Sequence, residues 1–257
     1  MLIKISLLTA FLLASLYPLC FWVSYKNPLK NNFHKFHLGL PNVIGGVVVV
    51  WLMFMDIPLS IKILVLVWKA GLIAFSQYYW KKEYPQAVVM TIPCLLGTAA
   101  FSYVESALIP SQFLTHLLSI LGGLILCASL FAMNLGHWYL NVHGLPIAHL
   151  KRAVNILAVF LILRLLADMI LLFFQKILYL GDFIRLFSFL GTLDGFLLIL
   201  ALFFGVLFPL ASLYFVYGTL KVKNTQAATG ILYVILASIL MGDLTYKYYL
   251  VKFGVIW

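Results

Sequence analysis

Residues 147–174 read IAHLKRAVNILAVFLILRLLADMILLFF, an almost unbroken run of Leu, Ile, Val, Phe and Ala that encloses Arg164 and Asp168. About 20 such residues in an α-helix cross the hydrocarbon of a bilayer. Runs of this kind recur along nearly the whole chain. Of the 257 residues 65% are hydrophobic and only 9% charged, where a soluble domain carries about 25% charged; the mean hydropathy is +1.10. Lipid is therefore the solvent, and the backbone must satisfy its own polar groups within helices.

Counting the runs gives helices at approximately residues 2–23, 38–55, 60–80, 86–106, 113–140, 147–174, 190–217 and 227–251. The expected fold is an all-α polytopic integral membrane protein with about eight transmembrane helices and short loops. Residues 1–257 form a single transmembrane domain in this reading. The first run resembles a signal peptide only superficially, being too long and lacking a small-x-small cleavage site, so it is read as a retained helix. Gln175–Phe187 is less hydrophobic and carries Lys176, Asp182 and Arg185 among Ile, Leu and Phe, a mixture that suits one interfacial amphipathic segment.

Lys and Arg number 17 against 7 Asp and Glu, a formal charge of +10. Lys26, Lys30, Lys35, Lys81, Lys82, Lys151, Arg152, Lys221 and Lys223 fall on one set of alternate loops; the other set is less basic. The positive-inside rule then places the basic loops in the cytoplasm and both termini outside, in a bacterial inner membrane. Anionic headgroups account for the charge better than nucleic acid does. Cys20, Cys94 and Cys127 lie in apolar runs without paired spacing, which predicts buried free thiols.

The densest polar packet is Gly136–Arg152, holding His137, His143 and His149. With His34 and His37 in the loop after the first helix, these sit on or near the basic face. Imidazole ligates haem iron, zinc or copper, so the five are candidate cofactor ligands, with haem b or a quinone as the cofactor. His116 and His137 are a whole membrane apart at about 1.5 Å per residue, unlike the same-helix pairs of diheme membrane cytochromes. There is no HExxH and no carboxylate–histidine box, so no dedicated metal site is expected. The plainer role for surface histidines is contact with headgroups or loops. Leu38-Gly-Leu-Pro41 after His37 and Gly144-Leu-Pro146 after His143 hint at a duplication, but chance suffices in so Leu- and Gly-rich a chain.

The acids lie in the opposite half of the membrane: Glu105, Asp168, Asp194 and Asp243, with Arg164 nearer mid-depth. An ionisable group at the bilayer centre costs at least about 2.5–3.5 kcal/mol, so such residues persist when they find partners. Arg164 and Asp168, and Asp243 and Lys247, are spaced to pair along one helix face. Asp194 has no partner on its own helix and must look to a neighbour, to water or to protonation. With His116, these residues make a candidate proton relay or quinone pocket, in which His116 or an acid accepts a proton and Arg164 holds a carbonyl. The plainer alternative is a set of bridges that fix helix packing.

No phosphate-binding loop, dinucleotide fingerprint or nucleophile elbow occurs. The expected function is a membrane-embedded subunit of a larger electron-transfer or proton-coupled complex. Lacking a soluble redox module, the chain needs other membrane and extramembrane subunits and is not an enzyme on its own. A secondary transporter or channel subunit is the first alternative, a structural or assembly subunit the second.

Overall fold

Long apolar runs that must close their own hydrogen bonds give helices, and the computed structural model is built of them. It describes residues 1–25, 29, 32–110, 112–142 and 145–254. Helix α1 (Leu2–Leu16) tightens into a 3₁₀ segment (Tyr17–Ser24), followed by α2 (Phe33–Met53), α3 (Leu59–Trp80), α4 (Ala87–Leu108), α5 (Phe113–Asn141) and α6 (Ala148–Phe174). A hairpin of β1 (Lys176–Tyr179) and β2 (Asp182–Arg185) leads through the single turn α7 (Leu186–Phe189) to α8 (Leu193–Leu202). A π-helical turn (Phe203–Leu207) joins α8 to α9 (Phe208–Lys221), and α10 (Thr225–Phe253) completes the described chain. Among the described residues, 8 helices are long and apolar enough to cross a membrane, α8 to α9 counting as one. The chain is an all-α polytopic integral membrane protein in contact with lipid.

Two compact units divide the chain, Ser6–Ser111, and Met1–Ile5 with Gln112–Trp257. In the first, Phe11 of α1 packs on Trp68 of α3 with ring centroids 4.8 Å apart and meets Phe101 of α4 edge-on at 5.9 Å. Gly97 allows this approach, because a Cβ there would run into the Trp68 indole and the Ser15 side chain. Small residues at helix contacts let backbones close where lipid supplies no hydrophobic drive. Among the described residues Lys69 is held without an acid: its Nζ donates to the Asn42 backbone carbonyl (2.5 Å) and to Asn42 Oδ1 (3.1 Å).

In the second unit α10 is the central strut. It meets α5 where a Cβ on Gly136 would lie 2.6 Å from Thr229 Oγ1, and it meets the π turn where Gly242 rests on the backbone of Gly205. The π turn has a local cause. Pro209 cannot donate to the carbonyl of Gly205, and its ring would crowd that carbonyl in a regular helix; the wider turn relieves both. Asn224 Oδ1 accepts from the Ala227 amide (2.9 Å) and caps α10.

Three details depart from the sequence reading. His34 and His37 stand in the first turns of α2 rather than in a loop. Asn32, at φ 61°, turns the chain, and Phe33, His34, His37, Leu38 and Pro41 then form one buried stripe, a helical periodicity that overrides the polar composition. The interfacial stretch after α6 is a hairpin, with Tyr179 opposite Asp182 and a two-residue turn of Leu180 (φ 53°) and Gly181 (φ 96°). Two consecutive positive φ values match strand twist and define the favoured tight hairpin turn. The seventh span begins at Leu193 and not 190, because Thr192 accepts from the Gly195 amide (3.0 Å) and caps α8 there.

Candidate functional site

Two i,i+4 pairs on neighbouring helices build the site. On α6, Arg164 Nε donates to Asp168 Oδ1 at 2.9 Å, with both side chains buried. On α10, Lys247 Nζ donates to Asp243 Oδ1, again buried. Tyr246, between the α10 pair, reaches across and donates its hydroxyl to Asp168 Oδ2 at 3.1 Å. Its ring lies under the guanidinium, 4.2 Å from Arg164 Cζ. Arg164 Nη1 donates to the Leu118 carbonyl of α5 at 3.1 Å. One arginine thus ties α5, α6 and α10 together.

Glycines make the room. A Cβ on Gly122 would lie 3.1 Å from Asp243 Oδ1 and 3.9 Å from Arg164 Nη1, and one on Gly205 would lie 2.9 Å from the Tyr246 ring. Between Gly122, Gly205, Arg164, Asp243 and Tyr246 lies a cavity of about 10 Å³, the size at which a single water fits. The π turn forms its wall through Gly205. Arg164 Nη2 is buried and has no hydrogen-bond partner among the described residues.

Electrostatically the group is balanced, with Arg164 and Lys247 against Asp168 and Asp243. A buried ion without a partner costs several kcal/mol, and two neutralising pairs with added hydrogen bonds remove most of that penalty. The arrangement can hold one water against a guanidinium. The Tyr246 hydroxyl is within hydrogen-bond reach of Asp168, and Tyr246 and Asp243 line the same cavity.

Of the other expected relay members, Asp194 lies apart from this network. Asp194 sits in the first turn of α8 with a side chain 43% exposed, and Lys252 Nζ (3.2 Å) and the Tyr179 hydroxyl (3.2 Å) donate to it. The Tyr249 hydroxyl donates to its backbone carbonyl. Asp194 therefore fastens the hairpin and the end of α10 to the start of α8, which answers its need for a neighbouring partner. His116 is half-buried early in α5. Glu105 is fully buried in α4, within the Ser6–Ser111 unit.

Of the histidines, His137 is exposed and His149 buried, so the two ends of the Gly136–Arg152 packet face different surroundings; His143 lies outside the described residues. His37 is buried, with its Nδ1 2.8 Å from the Tyr17 hydroxyl and its ring 4.0 Å from that of Phe33. His34 is buried, and its ring nitrogens make no hydrogen bond among the described residues. No group of three or more His, Cys, Asp or Glu placed to hold a metal ion occurs among the described residues.

Sequence reasoning missed Tyr246. Tyr246 was in reach of it, three residues after Asp243 and so on the same face. Pro209, four residues after Gly205, marks a kink in the seventh span from sequence alone, and the kink takes the form of the π turn. Comparison with protein-family models, curated proteins and solved structures gave no match.

Proposed function

We propose that this chain is the proton-handling membrane subunit of a larger electron-transfer complex, with Arg164, Asp168, Asp243 and Tyr246 as the proton-carrying group. The observation that carries this reading is that Arg164, whose Nη2 has no hydrogen-bond partner among the described residues, lines a water-sized cavity. A bridge that only fastened helices would gain by closing that gap, because an unsatisfied buried donor costs about 1–3 kcal/mol. Here the chain keeps the gap open with two glycines and a π turn, a distortion frequent at functional sites. Water held there by Arg164 connects Asp168 and Asp243 through groups that exchange protons.

The cavity admits water and not a ring, since sites for small organic ligands run to about 300–1,000 Å³. A quinone or haem b is accordingly placed with the histidine-bearing face or with partner subunits. In this reading the chain sits in a bacterial inner membrane with its basic loops in the cytoplasm and both termini outside.

The test uses the chain with the proteins that co-purify with it, reconstituted in liposomes containing a pH indicator. Tyr246→Phe removes the hydroxyl and keeps the ring over Arg164; Asp243→Asn removes one carboxylate. Both should lower proton uptake about tenfold or more while subunit composition stays unchanged. Full proton uptake in an assembled Tyr246→Phe complex refutes the reading and leaves the network as a structural bridge, even if Asp243→Asn fails to assemble.

A further inference from the structure

The hairpin turns two different faces to its surroundings. Register pairs Lys176 with Arg185, Ile177 with Ile184 and Leu178 with Phe183. Alternation puts Ile177, Tyr179 and Ile184 on one face, where they pack against a core that includes Phe189 and Tyr249. Lys176, Leu178, Phe183 and Arg185 share the other face, and all are exposed. Leu178 is 55% exposed, Phe183 74% and Leu180 at the tip 88%.

Two features of this outer face are unfavourable in water. Like charges directly opposite across strands repel, and neither Lys176 nor Arg185 has an acidic partner among the described residues. Asp182, the hairpin's own acid, stands on the opposite face by register. Leu180 occupies the left-handed region at φ 53°, which costs a side-chain-bearing residue about 1–2 kcal/mol relative to the right-handed one; Asn or Gly is the usual choice there. A strained leucine at a fully projecting tip points to an apolar surrounding for that tip. Phe173, Phe174 and Phe187, exposed at 62%, 82% and 62%, stand on the flanking segments.

We propose that the hairpin is an anchor for anionic phospholipid: Leu178, Leu180 and Phe183 dip among the acyl chains, and Lys176 and Arg185 together hold a headgroup phosphate. The phosphate removes the cross-strand repulsion, and the lipid covers the apolar tip. This stands independently of the proton-handling reading.

The experiment places a tryptophan reporter on the face by Phe183→Trp in the full chain. Its fluorescence is taken as the difference from the parent protein, in bilayers containing brominated phosphatidylglycerol or brominated phosphatidylcholine at equal mole fraction. A basic residue at an anionic surface is worth about 1 kcal/mol, so two predict a preference for phosphatidylglycerol of about tenfold or more. Lys176→Gln with Arg185→Gln should bring the ratio to about one. Thermal stability supplies a readout of opposite sign: Lys176→Gln should hold or raise the midpoint in phosphatidylcholine, by relieving repulsion, and lower it in phosphatidylglycerol. Absence of quenching by either lipid, a ratio near one in the parent, or a ratio unmoved by the double substitution overturns the proposal. So does a midpoint that falls equally in both lipids. Loss of the preference on adding millimolar inorganic phosphate assigns the basic pair to free phosphate and overturns the lipid anchor.

Discussion

Removing one charge from the buried network should cost as much as removing the pair. Asp168→Asn leaves the guanidinium of Arg164, 3% exposed, with the Leu118 carbonyl, the Tyr246 ring and the more distant Asp243 carboxylate. Arg164→Gln leaves the Asp168 carboxylate with the Tyr246 hydroxyl. Breaking a buried pair from either side strands a charge at about 3–5 kcal/mol, and once one partner is gone, removing the other strands no further charge. In detergent the lower end applies, because the unfolded chain also finds partners in an apolar solvent. Each single variant should therefore lose about 3 kcal/mol, and Arg164→Gln with Asp168→Asn about 3 kcal/mol rather than about 6. The assay is unfolding in mixed micelles titrated with a denaturing detergent, followed by far-ultraviolet circular dichroism. Additive losses in the double variant would refute the coupling and with it the claim that the four charges form one balanced group.

Two further outcomes follow from packing and capping. Gly242→Ala should destabilise by about 2 kcal/mol or more, because its new methyl meets the backbone of Gly205; Gly205→Ala should cost less, because its nearest obstacle is the Tyr246 ring, which can shift. The same unfolding titration ranks the two, and a reversed order contradicts the close contact. Asn224→Ala removes the cap on the Ala227 amide and should cost about 1 kcal/mol, visible as faster hydrogen exchange confined to the first turn of α10.

The spans were legible because length and hydropathy alone decide them. All of α2 to α6, α8 to α9 and α10 lie within a few residues of the runs read from sequence. The exceptions have identifiable causes. At the start of α2, burial of the His34 and His37 face outweighs its polar composition. After α6, period-two alternation over four residues per strand is too short to separate from an amphipathic helix turn. The acids show a different limit. Counting residues from a helix end gives depth, which placed Asp168, Asp194 and Asp243 in one half of the membrane. It does not give the direction each side chain faces about its helix axis. Asp168 turns towards Tyr246 of α10 and Asp243 towards Gly122 of α5, while Asp194 turns towards the hairpin and Lys252.

The identity of residue 164 separates charge from geometry. A lysine there would balance Asp168 and Asp243 equally well as a point charge. It could not reach Asp168 and the Leu118 carbonyl and keep a further N–H free from the fixed positions of the rigid guanidinium fork. Arg164→Lys should thus lose only about 1–2 kcal/mol of stability, the worth of the forfeited hydrogen bonds, well below the loss from Arg164→Gln. Proton uptake by the assembled complex should nevertheless fall as far as with Tyr246→Phe, because a flexible ammonium does not hold water in the fixed position that the guanidinium does. If Arg164→Lys keeps full uptake, a point charge suffices, and the guanidinium at the cavity has no part in moving protons.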